Sequence, residues 1–155
     1  MLLTVSDLNK FVGKSIAQIC GNGYVNPHDN HCAHFVSHAM SYNFGYTCHA
    51  AGSGKITGAN LRVHELFSRC PVVGRWADKP AQLSPCLVFV TAADHVKLTT
   101  KAMSNVPKKH VGIFVNGTIW HYSNSHHKVV TQQPSEFVHH YPGPDIVLFY
   151  GQLIP

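Results

Sequence analysis

Three residues of the chain have the types and the surroundings that thiol-based catalysis needs: Cys32, His110 and His121. A cysteine attacks as its thiolate, and a histidine can take the thiol proton once the fold brings the two side chains within hydrogen-bonding distance. A second polar group then fixes the tautomer of that histidine. The pattern predicts Cys32 as the nucleophile, His110 as the general base and His121 as the orienting residue.

Cys32 is predicted to lie in the first turn of a helix. Residues 31–42 carry apolar side chains at three- to four-residue spacing, which is typical of a helix with one buried face. A turn-rich stretch containing Pro27 precedes them. In the first helical turn a thiol lies near unpaired N–H groups and the positive end of the helix dipole, and both stabilise a thiolate. The competing interpretation is a small apolar residue that seals the helix end.

The two histidines fall on predicted strands that a tight turn joins. His110 opens an alternating apolar segment in which Gly112 shares its face and leaves space beside the ring. Asn116-Gly117 follows and is a strong signal for a type I′ hairpin. The partner strand carries His121 near its end, so the turn folds His121 back towards His110.

Two other features compete for these roles. Asp94-His95 pairs a carboxylate with a histidine, but the glycine and the apolar alternation that follow His110 are missing there. Asn124 would replace His121 as the orienting residue if the strand ended early. Both alternatives stay open at the level of the sequence.

The elements that must position these residues change type along the chain. Helical periodicity predicts a helix over residues 7–19, capped by Ser6, and a short helix near residues 59–68, with a glycine-rich loop over residues 45–58. The second half contains β-branched and aromatic runs at 86–91, 111–115, 118–122, 128–131 and 146–150. We therefore expect a single α+β domain over residues 1–155, with N-terminal helices packed on an antiparallel sheet of about five strands.

Composition argues against several classes of protein. With 45% hydrophobic and 12% charged residues, the chain is not expected to be disordered. Its formal charge of +5 favours anionic partners, but no run of Lys or Arg exceeds Lys108-Lys109, so nucleic acid is not expected.

No apolar stretch reaches the length of a membrane span. The first residues lack the basic segment and apolar core of a signal peptide. We expect a monomer.

The cysteines leave the disulfide question open. Their number, five, is odd, and no CxxC pair occurs. If Cys32 is the free thiol, the other four either form two disulfides by one of three pairings or stay reduced in the core. These four are Cys20, Cys48, Cys70 and Cys86.

Several histidines also have the spacing of metal ligands. His34 and His38 lie four residues apart on one predicted helical face, with His28 and His31 upstream, and histidine pairs at this spacing bind zinc in some proteins. Because no Glu follows His34, the HExxH motif of zinc hydrolases is absent. We expect neither a metal nor another cofactor.

The motifs around the predicted nucleophile and base resemble those of NlpC-type cell-wall cysteine peptidases. Those enzymes carry a tyrosine upstream of Asp-Cys-Ser-Gly-Phe-Val, and this chain has Tyr24 upstream of Asp29-Asn30-His31-Cys32-Ala33-His34-Phe35-Val36. Their second motif is a strand His-Val-Gly-Ile followed by a turn and another polar residue, and it is similar to residues 110–121. Residues 83–89 also resemble the strand entry that precedes that motif.

The chain departs from the family pattern next to the nucleophile. His31 rather than an aspartate directly precedes Cys32, and Ala33-His34 replaces the Ser-Gly pair. The resemblance implies a papain-like fold that hydrolyses amide bonds in peptidoglycan stem peptides, with Cys32, His110 and His121 in the roles given above. It also implies Tyr24 near the oxyanion site, whose main donor would be the Cys32 N–H, and His34 beside the substrate.

A narrower resemblance concerns delivery and partners. The start of the helix at Gly58-Ala59-Asn60 is similar to the corresponding helix of small type VI secretion amidase effectors. It implies an antibacterial toxin that reaches the periplasm or cell wall of another bacterium without a signal peptide, with peptidoglycan as substrate and an immunity protein as partner. The alternatives are a papain-like acyltransferase or amidase on another substrate, and a non-catalytic wall-binding or partner-binding module.

Overall fold

The structure is a computed structural model and describes residues 3–155. The helices are α1 (Val5–Asn9), α2 (Ile16–Ile19), α3 (Cys32–Met40), α4 (Cys48–Ala51), α5 (Val63–Arg69) and α6 (Pro134–Phe137). The strands are β1 (Val73–Arg75), β2 (Cys86–Ala92), β3 (Val96–Lys97), β4 (Ala102–Met103), β5 (His110–Val115), β6 (Thr118–Ser123), β7 (Lys128–Gln132) and β8 (Ile146–Gly151). Short 3₁₀ turns occupy Trp76–Asp78, Ala93–His95, Leu98–Thr100 and Val138–His140.

Six strands form one antiparallel sheet in the order β1-β8-β2-β5-β6-β7, and β3 pairs with β4 separately. The predicted α+β class is confirmed, and the five predicted strands correspond to β2, β5, β6, β7 and β8. The sheet is not a simple meander, because β8 returns from the C-terminal end to lie between β1 and β2. The sequence pattern does not predict β1, because three residues are too few to show alternation.

The predicted helix over residues 7–19 is wrong, because α1 and α2 are separate helices. Between them Gly13 has a φ of +84°, in the left-handed region that favours glycine. The Gly13 N–H donates to the Val129 carbonyl at 2.9 Å, and the Val129 N–H donates to the Lys14 carbonyl at 3.0 Å. This segment therefore pairs with β7 instead of continuing the helix.

Two helix starts differ from the predicted ones. Thr4, not Ser6, caps α1, because Thr4 Oγ1 accepts from the Asp7 N–H at 3.1 Å while Asp7 Oδ2 accepts from the Thr4 N–H at 3.2 Å. α5 begins at Val63, later than predicted, since Asn60 instead forms an isolated β-bridge. The predicted glycine-rich loop contains the short helix α4.

Two predicted elements that carry the site are confirmed. α3 (Cys32–Met40) lies within the predicted helical range 31–42, with Cys32 in its first turn. The turn between β5 and β6 has positive φ at both central residues, +48° at Asn116 and +92° at Gly117, as a type I′ turn requires. Ile113 lies opposite Trp120 in the resulting antiparallel pair.

The sheet is buried on both faces. One face packs against α3 through side chains such as Val111 and Ile113 of β5. The other face includes Phe114 and Ile119 and contacts Phe137 of α6. Within residues 3–155, no helix combines the length and the apolar character needed to cross a membrane.

Candidate active site

Cys32 lines a cavity of about 250 Å³ between the start of α3 and the segment that leads into β5. The thiol side chain itself is only 1% exposed. Tyr24 belongs to the same lining, which also contains three basic side chains and one acidic one: Arg62, Lys108, Lys109 and Asp29. The excess of positive charge favours an anionic ligand.

Burial raises the pKa of Cys32 to about 11. The backbone N–H groups of Val111 and Ala33 face the thiol, and together with the charge of Lys109 they act in the opposite direction by favouring the thiolate. The stabilisation expected from a helix N-terminus is therefore outweighed by desolvation. At neutral pH the side chain is a thiol and needs a base before it can attack.

An asparagine pair ties the turn before Cys32 to the end of β6. Asn30 Oδ1 accepts from the Cys32 N–H at 2.9 Å and from Asn124 Nδ2 at 2.9 Å. Asn124 Oδ1 in turn accepts from the His31 N–H at 3.0 Å. Asn124 thus holds the turn that precedes Cys32, and the predicted oxyanion donor, the Cys32 N–H, is already bonded to Asn30.

His110 and His121 contact each other through their rings, with His110 Nε2 2.9 Å from His121 Nδ1. Both side chains are buried. Burial, followed by the nearby His140, lowers the pKa of His110 well below its ordinary value and the pKa of His121 to about 4. Both rings are therefore neutral at pH 7, and one proton lies between the two nitrogens.

Gly112 permits this contact between the two histidines. A Cβ at Gly112 would lie 2.6 Å from Ile119 Cγ2 and 3.1 Å from His121 Cβ. Any larger residue would push β6 away from β5. Gly112 is thus needed for the close approach of β6 to β5.

The second ring nitrogen of His110 is not engaged by another group in the part of the chain that the structure describes. His110 Nδ1 is buried and has no hydrogen-bond partner in residues 3–155. When His110 Nε2 donates to His121 Nδ1, Nδ1 of His110 carries the lone pair that a general base needs. The thiol faces the N–H of Val111, the residue after His110, and no hydrogen bond joins Cys32 to His110. The His110 ring contacts Phe137 on the sheet face opposite the one that packs against α3, so proton transfer between Cys32 and His110 requires one of the two side chains to move.

The predicted substrate contact of His34 does not fit its position. The His34 side chain is fully buried and does not line the cavity. Its Nδ1 lies 3.0 Å from His31 Nδ1, and its Nε2 lies 3.2 Å from His38 Nε2. Both ring nitrogens are thus occupied by other histidines, away from Cys32.

The competing base, His95, is bonded elsewhere. His95 Nδ1 lies 3.2 Å from Thr91 Oγ1, and the exposed Asp94 carboxylate lies 3.9 Å from His95 Nε2. His95 is not part of the cavity that Cys32 lines. His110 does not line this cavity either, so its choice as the base rests on its unbonded Nδ1 and on the neighbouring Val111 N–H that faces the thiol.

Two residues of the site are not among the residues predicted from the sequence. Asn30 stands two residues before Cys32, where an Asn side chain commonly accepts a backbone N–H, and this rule could have identified it. His140 stacks on His110, with ring centroids 4.0 Å apart. No local sequence pattern links His140 to the site, because only the path of the chain after α6 places His140 against His110.

Comparison of the chain with protein-family models, with curated proteins and with solved structures finds no match. The resemblance to NlpC-type peptidases therefore rests on the motifs around Cys32 and His110. The papain-like form of the α+β fold stays a prediction.

The buried histidine pair makes stability depend on pH. The pKa of His121 falls from its ordinary value of 6.5 to about 4 on folding. Its contribution to stability is therefore complete above about pH 6.5 and is lost as the pH falls towards 4, since only the unfolded chain takes up the proton. In His121→Gln, the slope of the unfolding free energy against pH should be shallower by up to about 1.4 kcal/mol per pH unit.

Urea denaturation at a series of pH values measures these slopes. The matched control is His139→Gln, because the His139 side chain is exposed, and its slope should equal that of the unaltered protein. Equal slopes in the unaltered protein and in His121→Gln would show that His121 is not buried in its neutral form.

Proposed function

We propose that the protein is a cysteine amidase or endopeptidase that hydrolyses amide bonds in the stem peptides of bacterial peptidoglycan. The observation that carries the proposal is the 2.9 Å contact between His110 Nε2 and His121 Nδ1, which leaves His110 Nδ1 buried and unbonded. This is the arrangement a base and its orienting residue need, and the residue after His110 faces the Cys32 thiol.

The chemistry begins from a neutral pair. His110 Nδ1 takes the proton of the Cys32 thiol as the sulfur attacks the amide carbonyl carbon. The hydrogen bond from His110 Nε2 to His121 Nδ1 stabilises the imidazolium that forms. His110 then protonates the leaving amine as the C–N bond breaks, and a water molecule, activated by the same ring, hydrolyses the thioester to release the acid and the thiol.

Oxyanion stabilisation requires a small rearrangement. The Cys32 N–H, the expected donor, is bonded to Asn30 Oδ1 at 2.9 Å. A substrate carbonyl oxygen must displace Asn30 Oδ1 to receive this bond. Tyr24 lines the cavity and is the second donor that we propose for the oxyanion. Burial and the charge of Asp29 raise the pKa of its hydroxyl, so the hydroxyl keeps the proton that it would donate.

The charge of the cavity supports a stem-peptide substrate. Arg62, Lys108 and Lys109 give its lining a net positive charge, with Asp29 as the acidic residue. The D-glutamate and diaminopimelate residues of stem peptides carry carboxylates, which these cations would bind. Action on the cell wall in the periplasm, as a toxin restrained by an immunity protein, extends this proposal and rests on the resemblance to secretion effectors.

Replacement of the nucleophile is the first test. Cys32→Ala should release muropeptide fragments from purified diaminopimelate-containing sacculi at least about 10⁴-fold more slowly than the unaltered protein, because no acyl-enzyme can form. Mass spectrometry of the soluble products reports the bond that is cut. Cys86→Ala is the control, since Cys86 is a buried thiol on the opposite face of the sheet, and it should retain cleavage.

Undiminished cleavage by Cys32→Ala would refute the mechanism. Products in which an added amine replaces the new carboxyl group would instead indicate an acyltransferase. Binding of sacculi without any cleavage by the unaltered protein would indicate a non-catalytic wall-binding module.

The two histidines should differ in their effect on the rate. His110→Ala removes the base and should lower kcat by about 10²- to 10⁴-fold. His121→Ala removes only the orienting acceptor and should lower kcat less, and His121→Asn should restore part of the loss by keeping an acceptor. Thermal unfolding of each variant verifies that it is folded. If His121→Ala were the more damaging change, the roles of base and orienting residue would have to be exchanged.

A further inference from the structure

Four potential metal ligands converge at a point outside the cavity. Cys20 follows α2, His34 and His38 lie on α3, and Cys48 begins α4. Their ligand atoms all lie within 4.8 Å of one another, and every one of the four except His38 is buried. We propose that Cys20, His34, His38 and Cys48 bind one Zn²⁺ ion.

Two of the distances between these atoms are close to those of a tetrahedral site. Zn–N bonds of about 2.0–2.1 Å and Zn–S bonds of about 2.3 Å place neighbouring ligand atoms of a tetrahedron about 3.3–3.8 Å apart. His34 Nε2 and His38 Nε2 are 3.2 Å apart, and His38 Nε2 and Cys48 Sγ are 3.8 Å apart. Two cysteines with two histidines form a donor set that selects zinc.

A chain of hydrogen bonds fixes the tautomer of His34 that a metal needs. The Asn26 carbonyl oxygen lies 2.7 Å from His31 Nε2 and can only accept, so His31 Nε2 carries its proton and His31 Nδ1 is an acceptor. His34 Nδ1, 3.0 Å from His31 Nδ1, must then donate. The lone pair of neutral His34 is therefore on Nε2, the atom that points into the cluster, and such outer partners are typical of metal-ligating histidines.

The two sulfur atoms receive hydrogen bonds of the kind that favour a ligating thiolate. The Asn22 N–H donates to Cys20 Sγ at 3.4 Å, and Asn22 Nδ2 donates to Cys48 Sγ at 3.4 Å. The Ala59 N–H donates to Cys48 Sγ at 3.2 Å. Asn22 is fully buried and contacts both cysteines, so it belongs to the support of the site rather than to the surface.

The site is of the structural type. Four protein ligands complete a tetrahedral shell and leave no position for a substrate, and three of the four residues are buried. The ion would join three separate segments of the chain, and one of these segments leads to Leu61 and Arg62 of the cavity lining. The proposal is independent of the function proposed for Cys32.

The sequence predicts no metal, because it has neither an HExxH motif nor a CxxC pair. Cys20 and Cys48 lie 14 residues before His34 and 10 after His38, and only the fold brings these thiols to the two imidazoles.

The test is the metal content of the full chain, purified under reducing conditions from cells grown with added zinc. We expect about one zinc per chain by inductively coupled plasma mass spectrometry, and loss of this zinc in Cys20→Ser and Cys48→Ser. Cys70→Ser is the matched control, because Cys70 is a buried thiol outside the cluster, and it should retain the metal. Removal of zinc by a chelator should lower the melting temperature of the unaltered protein and of Cys70→Ser.

A second measurement covers variants that fail to fold. The chelated, reduced, unaltered protein should bind one equivalent of Co²⁺ and develop the intense visible bands of a tetrahedral ion together with a thiolate charge-transfer band. His38→Gln, which alters the most exposed ligand, should abolish these bands. Folded protein without zinc and without a cobalt spectrum would overturn the proposal. A Cys20–Cys48 disulfide in the freshly isolated protein, or equal metal loss in Cys70→Ser, would overturn it as well.

Discussion

The pairing of β5 with β6 is the constraint on which the candidate site depends. The two-residue turn at Asn116-Gly117 sets the register of this hairpin. The register brings His121 against His110, and Gly112 lets the two strands approach closely enough for a hydrogen bond between the two imidazole rings. β6 then continues to its end, and the next residue, Asn124, holds the turn that precedes the nucleophile. One hairpin therefore positions both the predicted base and the approach to Cys32.

Burial decides the protonation states at this site. The same desolvation that raises the pKa of Cys32 lowers the pKa values of His110 and His121, so all three side chains are neutral in the resting protein. A thiolate–imidazolium pair would require two charges in a region with almost no contact with water. We expect charge to develop only when a substrate fills the cavity, where the basic residues of the lining can offset it.

Structural features that are set by residues adjacent in the sequence could be predicted from the sequence. The I′ turn is specified by Asn116 and Gly117 themselves, and α3 by its own apolar periodicity. The break between α1 and α2 could not, because the partner of Gly13 is Val129 on a distant strand. A helical pattern in isolation contains no information on such pairing.

The same distinction applies to the functional residues. Cys32, His110 and His121 could be proposed because each lies within a short motif that specifies its element. His140 could not be proposed, since its stacking on His110 depends on how the chain returns after α6. The cluster of two cysteines and two histidines was missed for a similar reason, because its ligands come from three separate segments.

The most direct measurement of the central claim is the rate at which iodoacetamide modifies each of the five cysteines, followed by peptide mapping of the folded protein. All five thiols are buried and none forms a disulfide, and Cys32 lines a cavity, so the effect of His110→Ala separates activation of Cys32 from its access to the reagent. If Cys32 is a nucleophile served by His110, it should be modified before the other four, and His110→Ala should slow its modification by at least about tenfold. Modification of Cys32 no faster than that of Cys70 or Cys86, or at the same rate in His110→Ala, would contradict the account.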